Sequence, residues 1–362
     1  DRLRFRRETR LVMGNALVAR LFYSLKKQNV PVLFEAPISE FVCEGESVAG
    51  AVVKSPDGAL RIRAKKGVVL ATGGFAHNKK YREAFMPHLI PIYSMAADTN
   101  TGDGVQLAEG LSARVNADNH QGAAFWSPVS VTKRKDGSEG LYPHLAMDRA
   151  KPGLIAVNAA GRRFVNEAVS YHDFVEAMYR SHETENTLPA WLICETRFVT
   201  RYGLGAIHPE TKDLSTHIKD GYVTVAEELR SLAEKIGVDA EGLENSVKRH
   251  NKFAETGVDQ DFGKGDLELN RFNGDASNSP NPCLAPIERG PFVAMAVWPA
   301  EIGCSVGIAT DPDGRVLRDD GSAISGLYAC GNDMSSAMSG AYPGHGTTLG
   351  PAIVFGWRVA MH

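Results

Sequence analysis

Hydrophobic positions follow two different periods in the first part of the chain. Apolar residues recur at helical spacing over residues 11–25, which predicts an amphipathic helix that ends near Asn29. Residues 32–34 predict a short buried strand. Over residues 38–63 apolar and polar residues alternate between two turn signals, which predicts a three-stranded antiparallel meander.

Two continuous apolar stretches end in glycine. Residues 67–71 run into a Gly-Gly corner, and residues 326–330 close on a glycine that is followed by Asn-Asp. Apolar strands that end this way are typical of the strand-to-helix corners of a doubly wound sheet, where a phosphate or dinucleotide is approached closely. Because cofactor sites in such sheets gather outside the carboxyl ends of the strands, we expect the corners at residues 71–74 and 331–333 to lie close together. A plain tight turn would give the Gly-Gly pattern equally well.

Two polar, glycine-containing segments precede predicted helices. Residues 101–104 come before a helix over 105–111, and residues 342–350 come before an apolar helix over 352–360 with Pro351 in its first turn. Free backbone N–H groups at a helix N-terminus can hold an anion or a carbonyl-rich ring. An ordinary N-cap by Thr101, Asp103, Thr347 or Thr348 is the alternative interpretation.

The middle of the chain mixes strand, helix and loop patterns. Hairpin signals at 154–165 are followed by helical patterns at 171–180, 223–236 and 240–256 and by a loop-rich stretch at 259–286. The overall prediction is an α/β fold with an α+β insertion between its two ends.

Composition restricts the function classes. The 362 residues are 43% hydrophobic and 23% charged, with a formal net charge of -3. No apolar run reaches the ~18 residues of a membrane-spanning helix, so we expect no membrane span. Nothing in the charge pattern indicates nucleic acid, so we expect a small-molecule partner.

The cysteines and the N-terminus indicate the compartment. Five cysteines are scattered without a paired or metal-ligand spacing, which predicts no disulfide framework and no metal site. The basic start lacks the apolar region and cleavage site of a signal peptide. We therefore expect a reducing, cytoplasmic location. The chain begins without methionine inside a structural unit, so we expect it to be a fragment of a longer protein.

Five motifs in order carry a resemblance to a known family. They are residues 66–75, 101–104, 161–167, 281–288 and 342–351. In this order they resemble FAD-dependent oxidoreductases of the fumarate reductase/succinate dehydrogenase flavoprotein type, most closely the 3-ketosteroid dehydrogenase branch. The resemblance implies a doubly wound FAD-binding domain built from residues 1–128 and 300–362, with an α+β catalytic cap inserted over residues 129–299.

One departure concerns the cofactor. The family begins with a strand and a G-x-G-x-x-G phosphate loop, and this chain contains no such pattern, so we expect an N-terminal portion to be absent and FAD binding by this chain to be weak or absent. In the full-length protein the resemblance implies flavin contacts from Ala71, Thr72, Gly73, Gly74, Thr101, Gly102, Asp103, Gly104, Gly331, Asn332, Asp333, Thr347, Thr348 and Leu349.

A second departure concerns the substrate. The fumarate reductases carry an active-site arginine five residues after the Asn of R-F-x-N-E, and that position here is Tyr171. Without arginine to pair a dicarboxylate, a neutral ketone or enone fits better. The resemblance then implies that Tyr171 removes a proton beside the ketone while Tyr342 and Gly346 N–H hold its oxygen. The electron acceptor is not identified.

Other interpretations stay open at this stage. The chain could be a fumarate reductase-like reductase of another unsaturated acid or enone, or an inactive apo fragment. Tyr171 could be a packing residue of an amphipathic helix beside Phe174. Glu167 is predicted to form a cap or a buried structural bond to a loop rather than to act as an acid. His345 is predicted to be a solvent-facing loop residue, and His172 has no assigned role.

Overall fold

The structure is a computed structural model of the 362-residue chain. It describes residues 9–56, 58–86, 93–118, 121–134, 136–145 and 147–362. The chain forms two compact units, residues 1–68 and residues 69–362.

The smaller unit contains one helix and the predicted meander. Helix α1 spans Met13–Lys27, and strands β1 (Ile38–Glu44), β2 (Ser47–Ser55) and β3 (Gly58–Arg63) form an antiparallel sheet in the order β1-β2-β3. The helix and the meander are confirmed. The predicted strand at residues 32–34 is wrong, because this exposed segment pairs with no strand of the described chain.

The larger unit is built on a seven-stranded sheet around one long central strand, β12. The strand order is β8-β7-β12-β10-β9, with β11 and β5 also paired to β12. Its strands are β5 (Tyr93–Ser94), β7 (Ala124–Lys133), β8 (Glu139–Pro143), β9 (Leu154–Val157), β10 (Ala190–Glu195), β11 (Thr224–Ala226) and β12 (Phe292–Cys304).

Two small sheets lie outside this one. Strand β6 (Val115–Asn116) pairs with β13 (Gly307–Ile308), and a three-stranded sheet has the order β14-β15-β4. The members of the latter are β4 (Val68–Leu70), β14 (Arg315–Leu317) and β15 (Ala323–Ala329).

Most helices of the described chain belong to the larger unit. They are α2 (Lys79–Phe85), α3 (Asp103–Glu109), α4 (Tyr171–His182), α5 (Thr196–Tyr202), α6 (Ser215–Lys219), α7 (Leu229–Ile236), α8 (Ala240–Thr256), α9 (Glu268–Asn273) and α10 (Leu349–Met361). Single 3-10 turns occur at Gln121–Ala123 and Gly331–Asp333.

One hydrophobic core lies between the sheet and the pair α7 and α8. Leu243 and Val247 recur at helical spacing on α8 and pack with Leu232 of α7 and Ile193 of β10. The helix predicted over 240–256 is confirmed. The helix predicted over 223–236 is correct only from residue 229, because residues 224–226 pair with β12 as β11.

The predicted architecture is correct at the coarse level. The chain folds as α/β, but β5 alone runs parallel to its neighbour in the large sheet, and the doubly wound arrangement stays a prediction. The predicted domain boundaries at residues 128/129 and 299/300 fall within β7 and β12 and also stay predictions. No helix of the described residues has the length and apolar character needed to cross a bilayer.

Candidate active site

Two tyrosines that lie 171 positions apart in the chain meet in the core of the larger unit. Tyr171 is the first residue of α4, whose N-cap Ser170 accepts the N–H of Asp173. Tyr342 lies in the loop before α10. The Tyr171 hydroxyl donates to the Tyr342 hydroxyl at 2.6 Å, and the ring centroids are 5.0 Å apart. Because Tyr342 accepts this bond, its own hydrogen is available to another acceptor.

The tyrosine pair is enclosed by aromatic and apolar side chains. Phe125 of β7 packs against Tyr342 with centroids 5.1 Å apart. Leu145, Ile302 and Met338 pack against the same cluster. None of these neighbours carries a positive charge, so the surroundings suit an uncharged substrate better than a dicarboxylate.

His172, whose role could not be predicted, also packs in this cluster. Its ring stacks on Tyr342 at a centroid distance of 5.8 Å and an angle of 29°. Its Nδ1 accepts the backbone N–H of Trp126, so a neutral ring carries its hydrogen on Nε2. Burial lowers the pKa of His172, against the attraction of Asp173. The neutral imidazole therefore serves here as a wall of the Tyr342 site.

Burial sets the electrostatics of the two phenols. It raises the pKa of Tyr171, and the hydrogen bond to Tyr342 raises that pKa further. Burial also raises the pKa of Tyr342, while the Tyr171 hydrogen bond opposes this effect. Both phenols are therefore protonated at neutral pH, and proton abstraction by Tyr171 needs additional stabilisation of its phenolate.

Gly346 lies in the loop that follows Tyr342. It has a φ of 95°, and a Cβ placed on it would meet no atom within 4 Å. Its N–H donates to no acceptor among the described residues, although its carbonyl accepts Gly350 N–H at 2.7 Å. The N–H is therefore available to a ligand. His345 is exposed as predicted, with its ring centroid 5.5 Å from that of Tyr171.

The two glycine corners that the sequence predicted to be close are joined by one carboxylate. Asp333 is fully buried, and its Oδ1 accepts Gly74 N–H at 3.0 Å and the Thr72 hydroxyl at 2.9 Å. Its Oδ2 accepts the backbone N–H of Thr72. Burial raises the pKa of Asp333, and these hydrogen bonds oppose the rise. The juxtaposition is confirmed, whereas contacts of these residues with flavin stay a prediction.

The glycines of the two corners allow the two backbone segments to approach each other closely. Gly73 and Gly74 have φ values of 97° and 82°, and a Cβ on Gly74 would lie 2.8 Å from Asn332 O. Gly331 has a φ of 65° at the start of its 3-10 turn. Ala71 links β4 to this corner.

The segment 101–104 packs against the same corner. Gly102 takes the left-handed conformation with a φ of 80° at the N-cap of α3, so the capping side chain that was considered at Thr101 or Asp103 is not used. Instead the Thr101 hydroxyl donates to Asp103 at 2.6 Å. Gly104 N–H donates to the Thr72 hydroxyl at 3.2 Å, which ties the segment to the corner.

Gly104→Ala should destabilise this junction. A Cβ at Gly104 would lie 2.8 Å from Thr72 Oγ1 and 2.9 Å from Asp333 Oδ2. We expect a loss of about 1–3 kcal/mol in the free energy of unfolding, measured by denaturant titration. The control is Gly14→Ala on α1, where a Cβ meets nothing within 4 Å and stability should stay equal or rise. Equal stability of Gly104→Ala and wild type would contradict the close packing.

Residues at the start of α10 border an open cavity. The cavity has a volume of about 540 Å³ and includes Gly346, Thr347 and Gly350 in its lining. Thr348 is the N-cap residue but makes no side-chain capping bond, and Leu349 begins the helix. The N–H groups of Thr348 and Leu349 have no acceptor among the described residues. These N–H groups can donate hydrogen bonds to a negatively charged group.

This cavity fits the ring end of FAD. Its lining is mostly apolar, no Cβ obstructs the surface at Gly346 or Gly350, and free N–H groups lie at the N-terminus of a 13-residue helix. A flat ring with a polar pyrimidine edge matches these features. That these 362 residues bind FAD weakly without a phosphate loop stays a prediction.

The Glu167 carboxylate is the centre of a buried charge cluster. It makes buried structural bonds, as predicted. Arg163 donates to both of its oxygens at 2.8 Å and also pairs with Asp259. Lys264 Nζ lies 3.3 Å from Glu167, and neither side chain is exposed. Burial alone would raise the pKa of Glu167, but Arg163 and Lys264 hold that pKa well below its usual range.

Glu167→Gln should lower stability at neutral pH. It leaves Arg163 and Lys264 short of one buried partner, so we expect a loss of about 3–5 kcal/mol in the free energy of unfolding. Because the folded pKa of Glu167 is lowered, its contribution is present above about pH 4–5 and is lost as pH falls. The difference from wild type should therefore shrink in acid. Glu244→Gln, which breaks an exposed pair with Arg230, is the control with little effect.

Sequence reasoning missed a second buried network. His144 Nδ1 bonds Asp148 at 2.5 Å, and its Nε2 bonds the Ser130 hydroxyl at 2.8 Å. His144 holds the pKa of Asp148 at about 2, against the effect of burial. The order of groups matches a Ser-His-Asp triad, but Ser130 and His144 are buried and Ser130 also bonds Tyr222 at 2.7 Å. The network instead fixes the segment that carries Leu145.

Comparison with known proteins identifies the family of this chain. The sequence matches the FAD binding domain family over residues 1–349. It is 35% identical over 99% of the chain to 4-oxocyclohex-2-ene-1-carboxylate 5-dehydrogenase of Sinomonas cyclohexanicum, covering 61% of that protein. It is 37% identical over 96% of the chain to 3-oxosteroid 1-dehydrogenase of Mycolicibacterium smegmatis, covering 62% of it.

A solved structure has the same fold. The chain superposes on 3-ketosteroid delta1-dehydrogenase from Sterolibacterium denitrificans in complex with 1,4-androstadiene-3,17-dione with a TM-score of 0.91 and 38% identity, over 100% of this chain and 65% of that one. The chain thus spans about three fifths of the length of the curated relatives above. The match covers nearly the whole chain, so the protein belongs to the FAD binding domain family and its cofactor is FAD.

Proposed function

We propose that the whole protein is an FAD-dependent dehydrogenase that introduces a carbon–carbon double bond next to the ketone of a cyclic substrate. The observation that carries this proposal is the buried Tyr171–Tyr342 pair, with its 2.6 Å hydrogen bond. The free N–H of Gly346 in the same loop supports it. The relatives named above, which act on ring ketones according to their names, support it as well.

The ketone oxygen is held by two donors. The proposed donors are the Tyr342 hydroxyl, which accepts from Tyr171 and keeps its own hydrogen free, and the unpaired N–H of Gly346 in the same loop. Two donors on an oxygen that gains enolate charge stabilise the transition state, typically by a few kcal/mol per donor. The hydrogens on the carbon next to the ketone become more acidic as a result.

Tyr171 receives the proton from that carbon. The neighbouring ring carbon loses its hydrogen with an electron pair, so the substrate loses one proton and one hydride in total. When bound, FAD supplies the hydride-accepting chemistry. Tyr171 must be a phenolate to accept the proton, and in that form it no longer donates to Tyr342, whose hydrogen then stays on the ketone oxygen. The aromatic enclosure excludes water that would compete for the reaction.

The substrate class follows from the walls of the site. Leu145 contacts the tyrosine cluster and also lines a cavity of about 300 Å³ that includes Leu204 and Ile207. An apolar ring system extending from the ketone would fit there. The hydrophobic side chains that pack against the tyrosine pair supply no cation for a carboxylate, which argues against fumarate.

A substrate panel tests this function in the full-length, FAD-loaded protein. A 3-ketosteroid, 4-oxocyclohexanecarboxylate and fumarate are each supplied with an artificial electron acceptor, and products are identified by mass. We expect desaturation of at least one cyclic ketone and no reduction of fumarate. Brisk fumarate reduction would overturn the proposal. The five free cysteines support a reducing compartment, and the cytoplasm is the proposed location.

A further inference from the structure

Arg149 is a fully buried cation that binds only main-chain oxygens. Its Nε donates to His144 O at 2.9 Å, and its Nη1 donates to Glu167 O at 2.5 Å. Its Nη2 donates to Leu145 O at 2.7 Å and to Val169 O at 3.3 Å. No carboxylate of the described residues makes an ion pair with it. Burying an unpaired charge is costly, so its retention calls for a function.

The two segments that Arg149 joins both carry parts of the tyrosine site. Leu145 packs against the Tyr171–Tyr342 cluster. Val169 is followed by Ser170, the N-cap of α4, and then by Tyr171 itself. The guanidinium fork therefore fixes the start of α4 relative to the wall formed by Leu145.

The guanidinium of Arg149 also packs on the helix that begins with Tyr171. Its guanidinium stacks over Phe174 at 4.6 Å, and Phe174 is one helical turn after Tyr171 on α4. Burial lowers the pKa of Arg149 to about 10, against the attraction of Asp148 and Glu167, so the group stays charged at neutral pH. A nearby cation and the positive end of α4 both favour a phenolate.

We propose that Arg149 is a positioning residue of the proposed ketone dehydrogenation, which sets Tyr171 against Leu145 and supplies the positive charge that favours its phenolate. The inference rests on the proposed function. The titratable groups that contact Tyr171 or its partner Tyr342 are His345 and His172, and Asp173, Glu176 and Arg180 of α4 line a cavity with His172 and Tyr342. Those around Arg149 are His144, Asp148 and Glu167.

Two substitutions separate the fork from the charge. Arg149→Lys keeps the charge but loses the fork, whereas Arg149→Met loses both at similar volume. Kinetics of the full-length, FAD-loaded protein are measured with a 3-ketosteroid from pH 6 to pH 10. For Arg149→Met we expect kcat to fall about tenfold or more and its rise with pH to move upward by about one pH unit, with flavin content unchanged. Arg149→Lys should lower kcat less, and the pH at which its kcat rises should lie close to that of wild type.

The matched control is Glu195→Gln, a buried charge at the end of β10. Glu195 accepts backbone N–H groups of Glu288 and Arg289 and lies outside the tyrosine cluster. Its loss should lower the melting temperature without moving kcat or the pH profile. If Arg149→Met behaves like this control, Arg149 is only structural and the proposal is wrong.

A second readout does not depend on turnover. The ultraviolet titration of Tyr171, obtained as the difference between each protein and its Tyr171→Phe counterpart, should move to higher pH in Arg149→Met. An unchanged midpoint overturns the proposal even if no ketone is oxidised, so this result and a failure of the proposed function are distinguishable. If Arg149→Met does not fold, Arg149→Lys decides, since kcat and KM equal to wild type would contradict a role for the fork.

Discussion

Replacing Tyr171 by Phe should lower turnover of a cyclic ketone by about 10²–10⁴-fold, the usual contribution of general acid–base catalysis. The substitution removes the hydroxyl that bonds Tyr342 at 2.6 Å and keeps the ring that packs in the cluster. Because burial raises the pKa of Tyr171, wild-type kcat should rise from neutral to alkaline pH. Stopped-flow reduction of the flavin across this pH range measures both effects.

The variant should lose the pH dependence together with the rate, because no phenol is left to titrate. Flavin content should be unchanged. Tyr81→Phe is the control, since Tyr81 is buried and its hydroxyl donates to Glu109 outside the tyrosine pair. Turnover of Tyr171→Phe equal to that of wild type would exclude this residue from proton transfer and would leave it a packing residue of α4.

Replacing Tyr342 by Phe should lower turnover by about 10²–10³-fold, the loss expected for one oxyanion donor. Unlike Tyr171→Phe, this change should also weaken substrate binding, because the hydroxyl contacts the ketone oxygen in the ground state and more strongly in the enolate. Steady-state kinetics with a 3-ketosteroid give kcat and KM separately. A raised KM with unchanged kcat would show that Tyr342 only binds the substrate.

The double variant tests whether the two hydroxyls act as a unit. They share one hydrogen bond, so we expect the loss in Tyr171→Phe/Tyr342→Phe to be smaller than the product of the single losses. Independent, multiplicative losses would contradict the coupling that the 2.6 Å contact indicates.

Much of the local structure could be predicted from the sequence. Helices α1, α4, α8 and α10 follow the spacing of apolar residues, and the β1-β2-β3 meander follows period-two alternation between turn signals. These elements have a regular pattern and a length that favours one structure. The predicted helix over 223–236 was partly wrong because pairing with β12 stabilises three of its residues as a strand.

The candidate site was only partly predictable. Tyr171, Tyr342 and Gly346 could be proposed because they occur in motifs that resemble a known family, and the structure brings the two tyrosines into contact. His172 and Arg149 gave no signal, since a lone histidine on a helix and a lone arginine in a loop have many ordinary roles. Their importance depends on which backbone and ring atoms surround them.

The sequence by itself determined the class of the protein, the main helices and the hydrophobic positions, because these depend on composition and on periods of a few residues. Tertiary structure alone decided which distant residues meet. Asp333 joins the corner at Thr72, Glu167 pairs with Lys264, and Arg149 links the two segments beside the tyrosines. Such contacts form only when packing excludes water, since burial is what makes each polar group require a partner.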